Sequence, residues 1–146
     1  MSDLYDTDGY TWAMRQAEAL RKRSANEIDW DNVAEEIESL GKSQASELEN
    51  RYVVLLAHLL KWMFQAEKRS RSWEASVRTQ RIQAAKHLAK NPGLKGQLDE
   101  IWTDAYAVAR IQASGETDLP LETFPEANPF TLDQAMDPEF WPQAAA

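Results

Sequence analysis

DWDNVAEEIESLGKSQASELENRYVVLLAHLLKWMF, residues 29–64, changes character halfway along. Its first half reads as an acidic amphipathic helix, its second as one that is apolar nearly all round. Ala34, Ile37, Gly41, Ala45, Leu48, Tyr52, Leu55, Leu59 and Trp62 recur at steps of three and four, the spacing that puts side chains on one face of a helix. The stripe keeps phase at Gly41, which predicts one long helix, or two collinear pieces bent there. Gly41 and Ala45 are small enough to let another helix approach closely. A helix that is apolar all round is a buried one, so the second half predicts the centre of a helical bundle. One narrow polar stripe survives on it, Arg51, His58, Lys61 and Gln65, which is expected to face solvent or a cleft.

Working outward, residues 8–23 predict a first helix. Asp6, Thr7 or Asp8 can cap it, Lys22 and Arg23 favour its negative end, and Tyr10, Ala13, Ala17 and Leu20 form its apolar stripe. Asp29 is a fitting N-cap for the long second helix. A third helix begins at Ser70 or Ser72 and stops at Lys90, because the residue before Pro92 avoids the α region. Trp73, Val77, Ala84 and Leu88 form its inner face, with Arg71, Arg78 and Arg81 together on another. Asn91 and Pro92 suit the start of a fourth helix, striped by Leu94, Leu98, Ile101, Ala105, Val108 and Gln112, with Gly115 as its stop. Residues 117–142 hold five of the six prolines together with Leu119, Leu121, Phe124, Phe130, Phe140 and Trp141. That is too apolar for a disordered tail and predicts an ordered wrapping arm, with a capping box at Thr131 and Gln134 starting a short helix.

The fold class that follows is all-α: four main helices, the second long and central, and a Pro-rich C-terminal arm. At 146 residues one domain is the economical expectation, divided into a bundle at 1–115, an arm at 116–142 and a frayed tail at 143–146. Helices longer than their partners leave ends exposed, so self-association is expected, as a dimer through residues 36–48. Six Trp in a chain of this length should anchor the core or an interface. The lack of Cys removes disulfides and thiolate chemistry. The N-terminus MSDLYDTDGY has neither a basic start nor an apolar core, and the run from Val53 to Phe64, interrupted by His58 and Lys61, is short of the ~20 apolar residues that span a bilayer. A cytoplasmic protein with no membrane partner is the expectation.

Charge is unevenly placed around a net of −8. Residues 27–50 carry eight acids and one Lys, residues 67–90 seven Lys or Arg and two Glu, and residues 99–146 ten acids and one Arg. A pI of about 4.8 argues against non-specific nucleic-acid binding by the whole chain, but KRSRSW, residues 68–73, with Arg78 and Arg81 could make an anion or nucleic-acid face of Arg69, Arg71, Arg78 and Arg81. The plainer reading pairs these cations with the acids at 35–49 on a neighbouring antiparallel helix.

Catalytic signals are sparse. Glu35 and Glu38 share a helix face but have no Glu-x-x-His companion, so neither a di-metal site nor any other metal site is expected, and no cofactor. The five glycines are scattered, which excludes a phosphate loop. His58 is the best single candidate for a base. A polar cluster of His58, Lys61, Glu35 and Glu38 would support an enzyme, yet Glu38 and His58 are ~30 Å apart on a straight helix, and a satisfied structural histidine is the simpler expectation.

AEEIESLGK, LLAHLLKW, RSRSW, LPLETFPE and FTLDQAMDPEFWP occur in that order. Together they resemble the bacterial family of helical proteins designated domain of unknown function twenty-nine, from Tyr5 to Pro142. The resemblance implies an α-helical fold and carries over no activity, ligand or catalytic residue. Three functions are therefore expected as alternatives: a cytosolic protein-interaction or regulatory module, a nucleic-acid binder using the third helix, and an enzyme centred on His58.

Overall fold

The computed structural model describes residues 4–146. Its helices are α1 (Leu4–Thr7), α2 (Gly9–Lys22), α3 (Trp30–Phe64), α4 (Arg71–Lys90), α5 (Leu98–Thr117) and α6 (Leu132–Met136), with no strand among the described residues. The four main helices, the long second one and the short helix in the arm all appear as the sequence predicts. By packing, the chain divides into an N-terminal unit, Met1–Ser43, and a C-terminal unit, Gln44–Ala146.

The helix ends follow local chemistry. The Asp8 side chain accepts from the Thr11 amide at 3.0 Å and starts α2, while Arg23 closes it in the left-handed region at φ 57°. Ser70 accepts from the Trp73 amide and starts α4. The capping box at Thr131 and Gln134 forms in both directions. Two expectations are corrected. Asn91 does not cap a following α-helix: its side-chain amide donates back to the His87 carbonyl, and Pro92–Gln97 is a 3-10 segment leading into α5. Gly115 does not stop α5, which runs on to Thr117 and ends at Asp118, left-handed at φ 59°. Asp is among the few non-glycine residues that adopt that conformation readily.

α3 is a single helix through Gly41. A Cβ built on Gly41 would meet nothing within 4 Å, so among the described residues no neighbouring element uses the small residue for close approach. Ala45 does pack against the core.

In the C-terminal unit, Leu48, Tyr52, Leu55, Leu56, Leu59 and Leu60 of α3 are buried with Val77 and Ala84 of α4. α5 contributes Ile101, Ala105, Ala109 and Ala113, spaced by four. The three alanines of this row form a low ridge that lets helices pack closely. The predicted stripe holds at Leu94, Ile101 and Ala105, which are buried, and departs from the core face at Val108 and Gln112, which are exposed. The arm is pinned by Phe124 and Phe130, both buried, and by backbone carbonyls taken up by side chains. Tyr106 donates its hydroxyl to the Pro125 carbonyl, and Arg110 Nε donates to that of Phe124 at 2.9 Å. In the tail expected to fray, the Ala145 amide donates to the Met63 carbonyl at 2.8 Å.

The N-terminal unit has a smaller interior. Among its described residues Trp12 and Ala19 are the buried apolar ones. Trp12 packs edge-on against Tyr5 at 4.7 Å, and its Nε1 donates to Asp29 Oδ2 at 3.1 Å. Gln16 bridges the connection before α3: its Oε1 accepts from the Asp29 amide at 2.7 Å and its Nε2 donates to the Glu27 carbonyl. This turns the Trp12–Ala19 side of α2 inward. The predicted stripe of Tyr10, Ala13, Ala17 and Leu20 is therefore not the core face; Tyr10 and Leu20 are exposed.

Candidate functional site

Two places in the molecule concentrate unusual side chains: the end of α3 in the C-terminal unit, and the outward faces of α2 and early α3 in the N-terminal unit.

At the end of α3 the polar stripe is covered. Lys61 and Gln65 are buried, contrary to the expectation of a solvent-facing or cleft-lining stripe. Lys61 Nζ lies 3.1 Å from Glu116 Oε1 of α5 and 4.8 Å over the Trp73 ring of α4. Gln65 donates to the Thr117 carbonyl at 3.2 Å. The last turn of α5 thus provides both partners, and this depends on α5 running past Gly115. His58 Nδ1 is 2.8 Å from the Val54 carbonyl, one turn back on its own helix. With the proton on that nitrogen the ring is satisfied locally. Burial holds the His58 pKa below its ordinary 6.5, against the Val54 bond that raises it; Lys61 lowers it and Glu116 raises it. The neutral ring is favoured.

The four arginines expected to form an anion face have separate fates. Arg81 is buried at 4% exposure. Its Nε donates to the Ala135 carbonyl and its Nη2 to that of Phe140, each at 2.7 Å, with Nη1 reaching the Pro138 carbonyl at 3.4 Å. It serves the arm and is unavailable to an outside anion. The period held the clue: residues 77, 81, 84 and 88 step by four, three and four, so Arg81 belongs to the inner face with Val77 and Ala84. Arg69 donates to the Trp62 carbonyl and covers the Trp62 ring at 4.7 Å. Arg78 pairs with Glu74 of its own helix at 2.9 Å and lies 5.7 Å from the Trp141 ring. Arg71 is exposed. Trp62 and Trp141 stack at 4.5 Å, and Arg81 lies 5.3 Å from the far ring. Cations and rings so arranged attract one another by about 0.5–2 kcal/mol per contact, and here they fasten the arm to α3 and α4. The predicted pairing of α4 cations with acids at 35–49 gives way to pairs within helices. Glu47 meets Arg51 at 3.7 Å, and its one partner on α4 is His87, whose Nδ1 is 2.8 Å away; His87 Nε2 faces the Gln44 carbonyl at 2.8 Å.

Glu38 pairs with Lys42 at 3.0 Å. Glu35 is exposed and acts on Tyr5 through its charge. The Tyr5 hydroxyl donates to Glu36 at 2.5 Å, and that bond, ahead of desolvation and the charges of Glu35, Glu36 and Asp6, pushes its pKa up to about 12. His58 and Lys61 thus bond to Val54 and Glu116, and Glu38 to Lys42, in place of the predicted polar cluster. Among the described residues no group of three His, Asp or Glu is placed to hold a metal ion.

The N-terminal unit carries what the sequence reading missed. Tyr10 is 77% exposed, Ile37 65%, Leu40 62% and Trp30 58%. Tyr10 and Met14, one turn apart on α2, line a surface depression of about 630 Å³ rimmed by Arg15, Arg21 and Lys22. On α3, Trp30, Ile37 and Leu40 follow at seven and three and so share one face. The signal was present in the sequence: Tyr10 and Ile37 hold helix-period stripe positions, and positions 35, 36 and 38 around Ile37 are all acidic.

This fold defines an all-α protein, with no strand among the described residues. The chain belongs to the family described as Domain of unknown function DUF29, which it matches over residues 4–141. No curated protein and no solved structure matches it. No helix among the described residues is long and apolar enough to cross a membrane.

Proposed function

We propose that this protein is a helical protein-interaction module whose docking surface is formed by the outward faces of α2 and of α3 from Trp30 to Leu40. One observation carries the reading. Among the described residues, six of the nine large hydrophobic side chains left exposed lie between Tyr10 and Leu40. Apolar surface in water costs about 25 cal/mol per Å² relative to burial, and concentrated exposed patches mark interaction sites. Tyr, Trp and Met are enriched in protein interfaces, and Tyr10, Met14 and Trp30 are of these types. Faces with helical spacing suit an amphipathic partner helix, which anchors through residues three and four apart. The absence of Cys is in keeping with work in a reducing compartment.

The test is affinity capture from native lysate, comparing the wild type with Ile37→Glu/Leu40→Glu. Both positions are exposed, so the variant keeps the helix content of the parent. The reading expects a partner, or a second copy of the chain, that the wild type retains and the variant loses. Equal retention by both overturns it.

A further inference from the structure

The two segments of the N-terminal unit that bear these outward faces differ in charge. α2 carries Arg15, Arg21 and Lys22 against Glu18, and residues 30–43 carry Asp31, Glu35, Glu36 and Glu38 against Lys42. Lys22 is taken by Glu18 at 2.8 Å and Lys42 by Glu38. Among the described residues Arg15 and Arg21 make no ion pair, and neither do Asp31, Glu35 and Glu36. The two faces also agree in length. α2 has 14 residues, about 21 Å at the rise of an α-helix, and the stretch from 30 to 43 is as long.

We infer that the occupant of these faces is a second copy of this chain: α2 of one copy seats on residues 30–43 of the other, and the reverse contact is made at the same time. The inference rests on the docking surface proposed above and names its partner. Within one chain α2 is held with Trp12 and Ala19 inward by the Asp29 and Gln16 bonds, so Tyr10 and Met14 face away. Pairing α3 with its own copy would set Glu36 and Glu38 against themselves, and pairing α2 with its own copy would do the same to Arg15 and Arg21. Cross-pairing brings a cationic apolar face to an acidic apolar face twice over, which is the self-complementarity that a twofold axis requires. This alters the sequence-based expectation of a dimer through residues 36–48, since α2 supplies half of the contact.

The experiment is sedimentation equilibrium on the full chain and two charge variants, Arg15→Glu/Arg21→Glu and Glu36→Lys/Glu38→Lys, with far-UV circular dichroism to confirm that each is folded. The wild type is expected at twice 16.7 kDa, dissociating on dilution. Each variant alone meets like charge at both contacts and weakens association roughly tenfold or more. Mixed in equal amounts, the variants carry opposite charge at both contacts and regain the dimer. A wild type that is monomeric throughout overturns the inference, and so do folded variants that dimerise unchanged or a mixture that stays monomeric. If the wild type is monomeric yet Ile37→Glu/Leu40→Glu loses a lysate partner, the second copy is excluded while the docking surface stands.

Discussion

Arg81 Nη2 donates to the Phe140 carbonyl at 2.7 Å, across 59 residues of chain. Its Nε makes an equally short bond to Ala135. The arm has little regular structure to satisfy its own carbonyls, and a planar guanidinium supplies several donors in fixed directions. Burial lowers the Arg81 pKa, partly opposed by Asp137 and reinforced by Arg78. Two bonds to a charged donor at about 1.5 kcal/mol each make Arg81→Met destabilising by about 3 kcal/mol. Arg81→Lys, which cannot span both carbonyls, is expected to lose about half of that. Urea denaturation checks both values, through the midpoint at an unchanged slope.

His58 gives the fold a pH dependence of known sign. Its pKa in the folded chain lies below the ordinary 6.5, so the unfolded chain binds more protons between the two values. Stability therefore rises with pH through that window and is fully present above 6.5. It falls as pH drops from 6.5 toward the folded-state value. His58→Gln should flatten this part of a stability–pH profile, and an unchanged profile would show that other groups set it.

Gly41 sits inside α3 with open space around it. Glycine in an exposed helix interior costs about 1 kcal/mol relative to alanine. Gly41→Ala is expected to stabilise the chain by about that amount, seen as a rise in thermal midpoint with no loss of helix signal. A fall in the midpoint would mean that the position needs its glycine.

Much of the fold was legible because it rests on local chemistry. Asp8, Ser70 and the Thr131–Gln134 box cap helices through residues three positions away, and the stripe through Leu48, Leu55 and Leu59 is long and in phase. The misreadings share one cause: a helical period shows that residues share a face, and tertiary packing chooses which face is covered. α5 buries its alanine row in place of Val108. Arg81 fell on the inner stripe but was classed by charge. Tyr10 and Ile37 had helical periodicity, yet both side chains are left largely exposed. Lys61 and Gln65 are covered by the last turn of α5, whose end at Asp118 was hidden by the more obvious stop at Gly115.

The most direct measurement places a photo-reactive side chain at position 37, in the middle of the exposed α3 face, and at the exposed position 83 of α4 as a control, and irradiates each protein in native lysate. A discrete covalent adduct, with a second copy or with another protein, is expected from position 37 and not from position 83. No adduct at 37 above the level at 83 would contradict the claim that the N-terminal apolar faces are where this protein meets its partner.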